Sequence, residues 1–425
     1  MPTADPSPLA LRELPRCVDR LRPLRCAAAV ARQGSAIRAA EVMHLSQPAV
    51  TRAVLDLERF CGMPLFERTA RGMLPTPLGS RVAQRTQALC AHLAHGAVQA
   101  AALAPRSRRA ANPERFAAAV TPASLKALLA VATMQSEQKA ADALGVSQPA
   151  VHRSLRTLEH LVGEVVFQRS MRGTRLTDAG EALLLGVKLA FGEARALDSE
   201  IASWRGELRG RVVIGALPLS VSLLLPQAVD AVLREHPEVE VTVVDGTYDS
   251  LMRQLRSADI DLVIGALRDA PAAVRLEALV DEPLVVMARA GHPCLRQRRL
   301  AVADLLRWPW VVPLPGTPAA AALQRMFAAA GAEPPADTLQ STSAVFTRAV
   351  VACSDRLALT SRGAAREEAG RGLVLVPVVL VQPLRRIGVA MRDAGEPSPD
   401  VAAVLAALRA EAVAVAATRE DKQNA

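Results

Sequence analysis

One short helical pattern occurs twice in this chain of 425 residues. Ser46-Gln47-Pro48-Ala49-Val50 returns 101 residues later as Ser147-Gln148-Pro149-Ala150-Val151. The alignment runs without a gap from Ala28 with Leu129 to Gly79 with Gly180, and 21 of its 52 pairs are identical. The chain therefore carries one small helical module twice, and the residues that both copies keep are candidates for a common task.

The positive charge is concentrated in the half that contains the repeat. Residues 1–209 hold 28 Lys and Arg against 18 Asp and Glu, whereas residues 210–425 hold 23 against 24. A basic half predicts a polyanionic partner such as nucleic acid. A basic surface that serves only solubility would give the same imbalance.

The remaining composition argues against several classes of protein. The six cysteines are scattered without C-x-x-C spacing, which predicts neither a zinc site nor a disulfide framework. Charged residues interrupt the N-terminus and no apolar run approaches 18 residues, so we expect a cytoplasmic protein with no signal peptide and no contact with a membrane. We find no nucleophile elbow, phosphate loop or His/Cys cluster, and expect no enzyme, no cofactor and no metal.

Each copy has the pattern of two short helices, a tight turn and a third helix. In copy one, Gly34-Ser35 separates the first two helices, and Ser46 is expected to cap the third. Val50, Val54 and Leu57 then follow at the spacing of one buried helix face. Polar residues occupy the opposite face, so the third helix is predicted to be exposed along one side.

This arrangement is a helix-turn-helix, whose third helix fits the major groove of DNA. Gln can pair bidentately with adenine, and the free N–H groups of a helix N-terminus attract phosphate. The extended pair that follows carries arginines in both copies and is predicted to be a wing against the DNA backbone. The predicted DNA-binding residues are Ser46, Gln47, Pro48, Thr51, Arg52, Arg68 and Arg71 in copy one, and Ser147, Gln148, Pro149, His152, Arg153, Arg169 and Arg172 in copy two.

From Gly210 onward, strands alternate with helices, which predicts a parallel sheet in two small α/β lobes. The pattern pauses after Gly265 and resumes from Leu284, and Ile387 to Met391 is expected to return to the first lobe. Ligands of such domains bind in the cleft, near strand carboxyl ends and helix N-termini. The predicted effector-binding residues at these places are Leu219, Ser220, Thr247, Thr317, Thr342 and Ser343. Each hydroxyl could equally serve only as a helix cap, so the set points to a cleft more strongly than any single member does.

Both copies closely resemble the winged helix-turn-helix of LysR-type transcriptional regulators. The resemblance rests on Ala39-Ala40, Ser46 to Arg52, Leu57-Glu58, Leu65 to Arg68 and Arg71-Gly72, and in copy two on Ala140-Ala141, Ser147 to Val151, Leu158-Glu159, Phe167, Arg169 and Leu176-Thr177. Thr177 is expected to cap a long helix that runs to about Trp204. The resemblance implies that this helix, assigned to residues 181–206 as a domain, is a dimerising linker, that the apolar side chain of Ile37 packs into the small core, and that the rest is an effector domain similar to periplasmic binding proteins. Ordinary members carry one DNA-binding domain, and this chain departs from them by carrying two.

The sequence thus predicts a multidomain chain with two all-α winged helix-turn-helix domains and one two-lobed α/β effector domain. The expected order is a loose segment (1–22), the first winged domain (23–80), a helix with a basic linker (81–120), the second winged domain (121–180), the linker helix (181–206) and the effector domain (210–418).

We expect a sequence-specific regulator that binds double-stranded promoter DNA as a homodimer or homotetramer and responds to a small-molecule effector. Gly215-Ala216-Leu217-Pro218 and Val244-Asp245-Gly246 resemble regulators of sugar-binding-protein genes, which implies a sugar or sugar acid, and regulators of aromatic-acid catabolism come next. The alternative is a small-molecule binding protein whose helical half is vestigial.

Overall fold

The computed structural model describes residues 14–69, 72–103, 113–170, 173–217, 223–269, 271–336, 339–367, 372–380 and 384–423. The chain divides into two compact units, one built mainly from residues up to Gly210 and the other mainly from residues after it. The first unit is helical with two small β-hairpins, and the second contains a large sheet. Among the described residues, no helix combines the length and the apolar character that crossing a membrane requires.

Copy one begins after a short 3-10 helix at Arg16–Arg20. Its elements are α1 Leu21–Gln33, α2 Ala36–Met43, α3 Gln47–Cys61, β1 Phe66–Thr69, β2 Gly72–Pro75 and α4 Pro77–Ala102. The break at Gly34 is confirmed, because Gly34 ends α1 with a left-handed backbone (φ 64°) that glycine adopts without strain.

Copy two follows the same plan after an additional short helix. Its elements are α5 Pro113–Ala119, α6 Pro122–Met134, α7 Glu137–Leu144, α8 Gln148–Val162, β3 Phe167–Ser170, β4 Gly173–Leu176 and α9 Asp178–Trp204. The helix expected from Thr177 to Trp204 is present, and Thr177 caps it by accepting a hydrogen bond from the N–H of Gly180 (3.0 Å).

The expectation of a loose segment as far as residue 22 is wrong from Arg16 onward. Cys17 and Val18 are buried, and the backbone N–H groups of Arg16 and Cys17 donate to the Asp198 carboxylate at 2.7 and 3.1 Å. Contacts with a residue about 180 positions away hold this segment, and composition alone gives no sign of them. Residues 1–13 of the predicted loose segment lie outside the described residues.

Identical glutamates of the two copies tie the recognition helix to the start of the wing. Glu58 accepts hydrogen bonds from the N–H groups of Leu65 (2.8 Å) and Phe66 (3.3 Å). Glu159 accepts the corresponding bond from Val166 (3.0 Å). The carboxylates satisfy backbone donors that would otherwise lack a partner where the chain turns into the wing.

Glycine is required in the first turn of both long helices. The hydroxyls of Thr76 and Thr177 accept from the N–H groups of Gly79 and Gly180, each at 3.0 Å. A Cβ atom at either glycine would overlap the carbonyl oxygen of the residue just before the wing. These repeated identities therefore preserve the junction between wing and helix.

The two copies share one continuous hydrophobic core. Its buried residues extend from Cys17 to Ile201, and α4 packs along α9. Leu93 and Ala97 of α4 and Val187 and Ala190 of α9 are all fully buried. The helix that the sequence assigned to pairing with a second chain therefore has a partner within its own chain.

The second unit is an eight-stranded sheet with the order β6-β5-β7-β12-β8-β10-β9, in which β11 also pairs with β8. Its elements are β5 Gly210–Ala216, α10 Leu225–Glu235, β6 Val239–Asp245, α11 Tyr248–Arg256, β7 Leu262–Ala266, β8 Val274–Arg289, β9 Trp310–Val311, α12 Pro318–Ala329, α13 Ala344–Ala352, β10 Leu357–Ser361, α14 Arg362–Glu367, β11 Leu373–Leu375, β12 Leu384–Arg392 and α15 Pro399–Gln423. Short 3-10 helices lie at Pro293–Arg296 and Val302–Arg307.

Two antiparallel strands join the lobes. β12 pairs with β7 of the first lobe and with the first part of β8, whereas the last part of β8 pairs with β10 and β11 of the second lobe. The sequence predicted that Ile387 to Met391 returns to the first lobe, and this is confirmed. It missed the first half of β8, where Val274–Arg289 continues as a single strand of 16 residues through both lobes.

Candidate nucleic-acid interface and effector site

The recognition helix of copy one buries its apolar face and exposes the predicted polar set. Val50, Val54 and Leu57 are buried, whereas Gln47 and Arg52 are exposed. Pro48 is also exposed and lies in the first turn, where its missing N–H is tolerated. This pattern follows from the 3.6-residue helical period and leaves the N-terminal half of α3 open to a large partner.

The side chain of Gln47 is positioned by its neighbour one turn on. Its amide nitrogen donates to the hydroxyl of half-buried Thr51 at 2.9 Å. The amide oxygen of Gln47 is oriented as a result, which prepares the side chain to present an acceptor to a base edge.

The recognition helix of copy two is held differently. Glu137 of α7 accepts a hydrogen bond from the Gln148 amide (2.9 Å) and lies 3.3 Å from Nδ1 of His152. Copy one has Ala36 at the position of Glu137. Sequence reasoning missed Glu137, although a direct comparison of the repeats reveals a new charge beside the predicted binding face.

Arg52 and Arg153 occupy equivalent exposed positions on the two recognition helices. Within the part of the chain that the structure describes, neither guanidinium forms an ion pair, whereas many other arginines do. An exposed cation that is not held in an ion pair is available to a phosphate or a guanine edge.

Ser46 occupies the N-cap position of α3 as expected, and Ser147 does the same for α8, but capping by the Ser46 side chain is not found. Both serines precede their helices with extended backbones, but neither hydroxyl makes a capping hydrogen bond. The backbone carbonyl of Ser46 instead accepts from Ala49 (3.0 Å). Both hydroxyls are exposed beside the helix N-terminus, where they can contact a phosphate group.

Each wing is anchored to the turn between the first two helices of its copy. The N–H of Met73 donates to the carbonyl of Gly34, and the N–H of Thr174 donates to that of Gln135, both at 3.0 Å. Arg68 on β1 is exposed. The predicted wing residues Arg71 and Arg172 lie outside the described residues, and the structure describes the backbone of Arg169 but not its side chain.

The expectation that Ile37 packs into the small core is wrong. Its side chain is 62% exposed, whereas Ala39 and Ala40 fill the core side of α2. Gln138 in copy two is therefore a change on the surface rather than in the core.

Sequence reasoning also missed a buried ionic cluster between the two long helices. Arg85 of α4 donates to Glu193 (3.1 Å) and Glu200 (3.0 Å) of α9, and Arg81 reaches Glu200 at 3.0 Å. Burial lowers the pKa of the Arg85 guanidinium, but the two carboxylates outweigh it and leave that pKa raised. The available signal was Arg85 itself, which lies on the apolar stripe of α4.

The thiols of the helical unit are suited to packing rather than to chemistry. Cys17, Cys26 and Cys61 are free and buried. Burial raises the pKa of the Cys61 thiol to about 12, so it is protonated and unreactive at neutral pH.

The predicted effector hydroxyls in the second unit lie at helix starts. Oγ atoms of Thr317 and Ser343 accept from N–H groups of Ala320 and Phe346, both at 3.2 Å, so each caps its helix. Thr247 and Thr342 are exposed. Leu219 and Ser220 lie outside the described residues.

In the second lobe, the structure brings two of these segments side by side. Val312 and Gln340 form a parallel bridge, and the N–H of Ser341 donates to the carbonyl of Val312 (3.1 Å). The turn that leads to Thr317 and the segment that leads to Ser343 therefore leave the same edge of the sheet.

The first lobe adds a cation that sequence reasoning did not select. The Arg268 guanidinium lies 4.1 Å from the centre of the Tyr248 ring. Tyr248 directly follows Thr247, and Arg268 follows the carboxyl end of β7. A guanidinium stacked on an aromatic ring beside an exposed hydroxyl is able to receive a carboxylate.

Comparison with known proteins agrees with this architecture. The family described as bacterial regulatory helix-turn-helix protein, lysR family, matches residues 21–80 and 122–181, and the LysR substrate binding domain matches residues 205–413. The chain is 35% identical over 388 residues to the HTH-type transcriptional regulator GalR of Pseudomonas putida, covering 89% of this chain and 94% of that protein. It is 28% identical to the regulator PcaQ of Agrobacterium fabrum, covering 67% of this chain and 93% of that protein.

Solved structures share the fold at lower sequence identity. A variant of full-length OxyR from Pseudomonas aeruginosa gives a TM-score of 0.54 at 22% identity, covering 68% of this chain and 93% of that one. The LysR family regulator CbnR gives a TM-score of 0.52 at 22% identity, covering 68% and 98%.

The chain therefore belongs to the LysR family of transcriptional regulators. Members of this family bind DNA and small-molecule effectors and form oligomers. The homologues are regulators rather than enzymes.

Proposed function

We propose that both copies read DNA, with the N-terminal halves of α3 and α8 in the major groove and the wings against the backbone. One observation carries this proposal. The two helices bury the same apolar positions, expose a serine and an arginine at the same two positions, and keep a glutamine between them that is exposed in copy one and half-buried in copy two. A vestigial helical half would not be expected to retain these residues, since their side chains contribute little to the core.

In this proposal, Gln47, Arg52, Gln148 and Arg153 address base edges, and the serines and wing arginines hold phosphates. The protein then acts in the cytoplasm, on promoter DNA and without catalysis. Arg52→Ala and Arg153→Ala should each weaken binding to the preferred duplex by about 1–3 kcal/mol if the guanidinium meets a base. Fluorescence anisotropy on specific and scrambled duplexes measures this.

The control for these variants is Arg59→Ala, because Arg59 lies on the exposed face of α3 near its C-terminal end and pairs with Asp56. It should leave affinity unchanged. An equal loss on specific and scrambled duplexes would assign Arg52 or Arg153 to phosphate contact, and no loss at all would remove that helix from the interface.

We infer that the effector binds between the lobes and carries a carboxylate, as a sugar acid or an aromatic acid does. The support is the Arg268–Tyr248 stack beside Thr247, together with the adjoining turns before Thr317 and Ser343. Thermal-shift titration with neutral sugars, the matching sugar acids and aromatic acids tests this class. Arg268→Gln should abolish the shift produced by an acid, and a shift produced equally by the neutral sugar would contradict the assignment.

A further inference from the structure

The contacts between the two copies are reciprocal, because equivalent positions of the two copies contact each other in both directions. Arg25 of copy one donates to the carbonyls of Ala118 (2.9 Å) and Val120 (3.3 Å), just before copy two. The equivalent residue of copy two, Lys126, donates to Asp19, just before copy one, at 2.6 and 2.8 Å. Asp19 and Val120 are themselves equivalent under the 101-residue offset. Two identical subunits related by a two-fold axis make such reciprocal contacts.

The long helices run antiparallel and place the two winged heads at opposite ends. Arg85 near the start of α4 meets Glu200 near the end of α9, and Gly96 near the end of α4 meets Gly186 near the start of α9. The guanidinium of Arg205, just after α9, donates to the carbonyl of Cys61 at the end of the first recognition helix (2.9 Å).

The resulting separation suits duplex DNA. With 26 residues in α4 and a rise of 1.5 Å per residue, α4 is about 40 Å long, which sets the scale of the distance between the heads. One turn of B-DNA is about 34–36 Å, the usual spacing of two helix-turn-helix half-sites.

The surface of α4 is complementary to that of α9. Neither helix is complementary to a second copy of itself. The equivalents of Glu193 and Glu200 in copy one are His92 and Gln99, and the equivalent of Arg85 in copy two is Gly186. Two α4 helices paired in this geometry would bury Arg85 without a carboxylate. Two α9 helices would bury their glutamates without a guanidinium, which is also unfavourable.

Close approach adds a steric match. A Cβ atom at Gly186 would lie 2.8 Å from the Cα of Gly96 and 2.7 Å from the carbonyl oxygen of His92. The position equivalent to Gly96 in copy two is Leu197. The glycine contact therefore exists only when α4 meets α9.

The two heads differ where they face DNA. Thr51 corresponds to His152, and Ala36 corresponds to Glu137, whose carboxylate holds Gln148. The two heads can therefore prefer different base sequences while sharing the same backbone frame.

We propose that a single chain forms a complete two-headed DNA-binding unit, in which α4 and α9 replace the pairing of two subunits. Its target is a duplex with two unlike half-sites, about one turn apart and in a fixed order. The proposal rests on the proposed function of the two heads and adds the form of the operator. Further oligomerisation of the chain would add whole two-headed units.

The first test is selection of duplexes from a random pool by the full-length protein. The enriched motif should contain two unlike half-sites with centres about 10 bp apart. Glu137→Ala with His152→Thr gives copy two the residues of copy one, and should change only one half-site. The matched control, Ala36→Glu with Thr51→His, should change only the other. An enriched motif with two identical inverted halves, or two variants that alter the same half, would overturn the proposal.

Failure of the proposed function looks different, because then no sequence would be enriched by the wild-type chain. The spacing is checked separately on the enriched site. Inserting about 5 bp between its halves turns one head to the opposite face of the duplex. Affinity should then fall by about 10²–10⁴-fold, the gain that a second linked site supplies. Unchanged affinity would show that only one head binds.

The second test asks whether α4 and α9 pair within one chain. Arg85→Glu and Glu193→Arg should each reduce affinity for the two-half duplex by about 10²–10⁴-fold. Combining both changes in one chain should restore part of it, because the carboxylate placed at position 85 regains a cation at position 193, although Glu200 still lies beside it. Co-expressing the two single variants should not restore it.

Pairing between chains predicts the opposite result. In a swapped dimer of the two single variants, one contact would join the two altered helices, whose charges are complementary, and the other would join the two unaltered helices. Recovery of binding in the co-expressed mixture would therefore overturn the proposal.

Discussion

The two winged copies have the same frame but different surfaces. Residues that support the backbone are identical, such as Glu58 with Glu159 and Gly79 with Gly180. Residues that meet the other copy differ, as do several that face DNA, and Arg85 corresponds to Gly186. The residues that support the backbone tolerate little change because their contacts are close. The residues at the contact between the copies can differ, because each copy contributes only one side of that contact.

The largest effect is expected at the contact where the copies differ. Arg85→Ala should lower the free energy of unfolding by about 3–5 kcal/mol, since it leaves Glu193 buried without its partner and Glu200 with Arg81 alone. Chemical denaturation followed by the helical signal measures this. Arg81→Ala is the matched control, because Arg81 also contacts Glu200 but is partly exposed, and it should cost about 1 kcal/mol or less. Equal losses would show that the buried position of Arg85 is unimportant.

A second pair of changes tests whether the junction between wing and long helix tolerates a larger side chain equally poorly in both copies. Gly79→Ala and Gly180→Ala should each cost about 1–3 kcal/mol, because the added methyl group overlaps a carbonyl oxygen. The adjacent exposed positions supply controls, and Ser80→Ala and Glu181→Ala should each change stability by about 0.5 kcal/mol or less. A loss in copy one alone would mean that copy two has relaxed its frame.

The carboxylate of Glu137, beside the second recognition helix, should have a smaller effect, which is on DNA-binding affinity. Removing it from copy two and adding it to copy one should change the affinity in opposite directions. Glu137→Ala should strengthen DNA binding by about 1 kcal/mol, the Coulomb energy of two unit charges a few ångströms apart in water. Ala36→Glu should weaken binding by a similar amount. Anisotropy titrations at two salt concentrations would detect both, and the differences should shrink at high salt. Weaker binding by Glu137→Ala would instead mean that the carboxylate contacts a base or must orient Gln148.

The smallest effect concerns Asp198, which has Ala97 as its equivalent in copy one. Burial raises the pKa of Asp198 above its ordinary value, and the N–H donors of Arg16 and Cys17 offset only part of this. A carboxyl whose pKa is higher in the folded state binds its proton more tightly there, so its contribution to stability falls as the pH rises from about 4.

Asp198→Asn removes this titration and should make the melting temperature depend less on pH between about pH 4 and 6. A steeper pH dependence in the variant would contradict the sign. Ala97→Asp is no suitable control because it adds a charge to the core, so the exposed Asp142→Asn serves instead.

Much of the local structure was predictable. The spacing of Val50, Val54 and Leu57 gave the buried face of α3, and Thr177 gave the start of α9, because a helix face and a cap depend on residues a few positions apart. Predictions failed where distant residues decide. The Arg16–Arg20 segment is ordered by Asp198, and β8 continues through both lobes because β12 pairs with it.

The amino-acid sequence alone shows that a winged helix-turn-helix occurs twice, that its polar face is kept, and that an α/β effector domain follows. Those properties come from short-range periodicity and from identities at a fixed offset. The folded chain was needed to show that α4 pairs with α9, that the two copies share one core, and that Glu137 holds Gln148. These depend on contacts between surfaces remote in the chain or on different helices, and helical periodicity shows that a face is buried without showing which partner covers it.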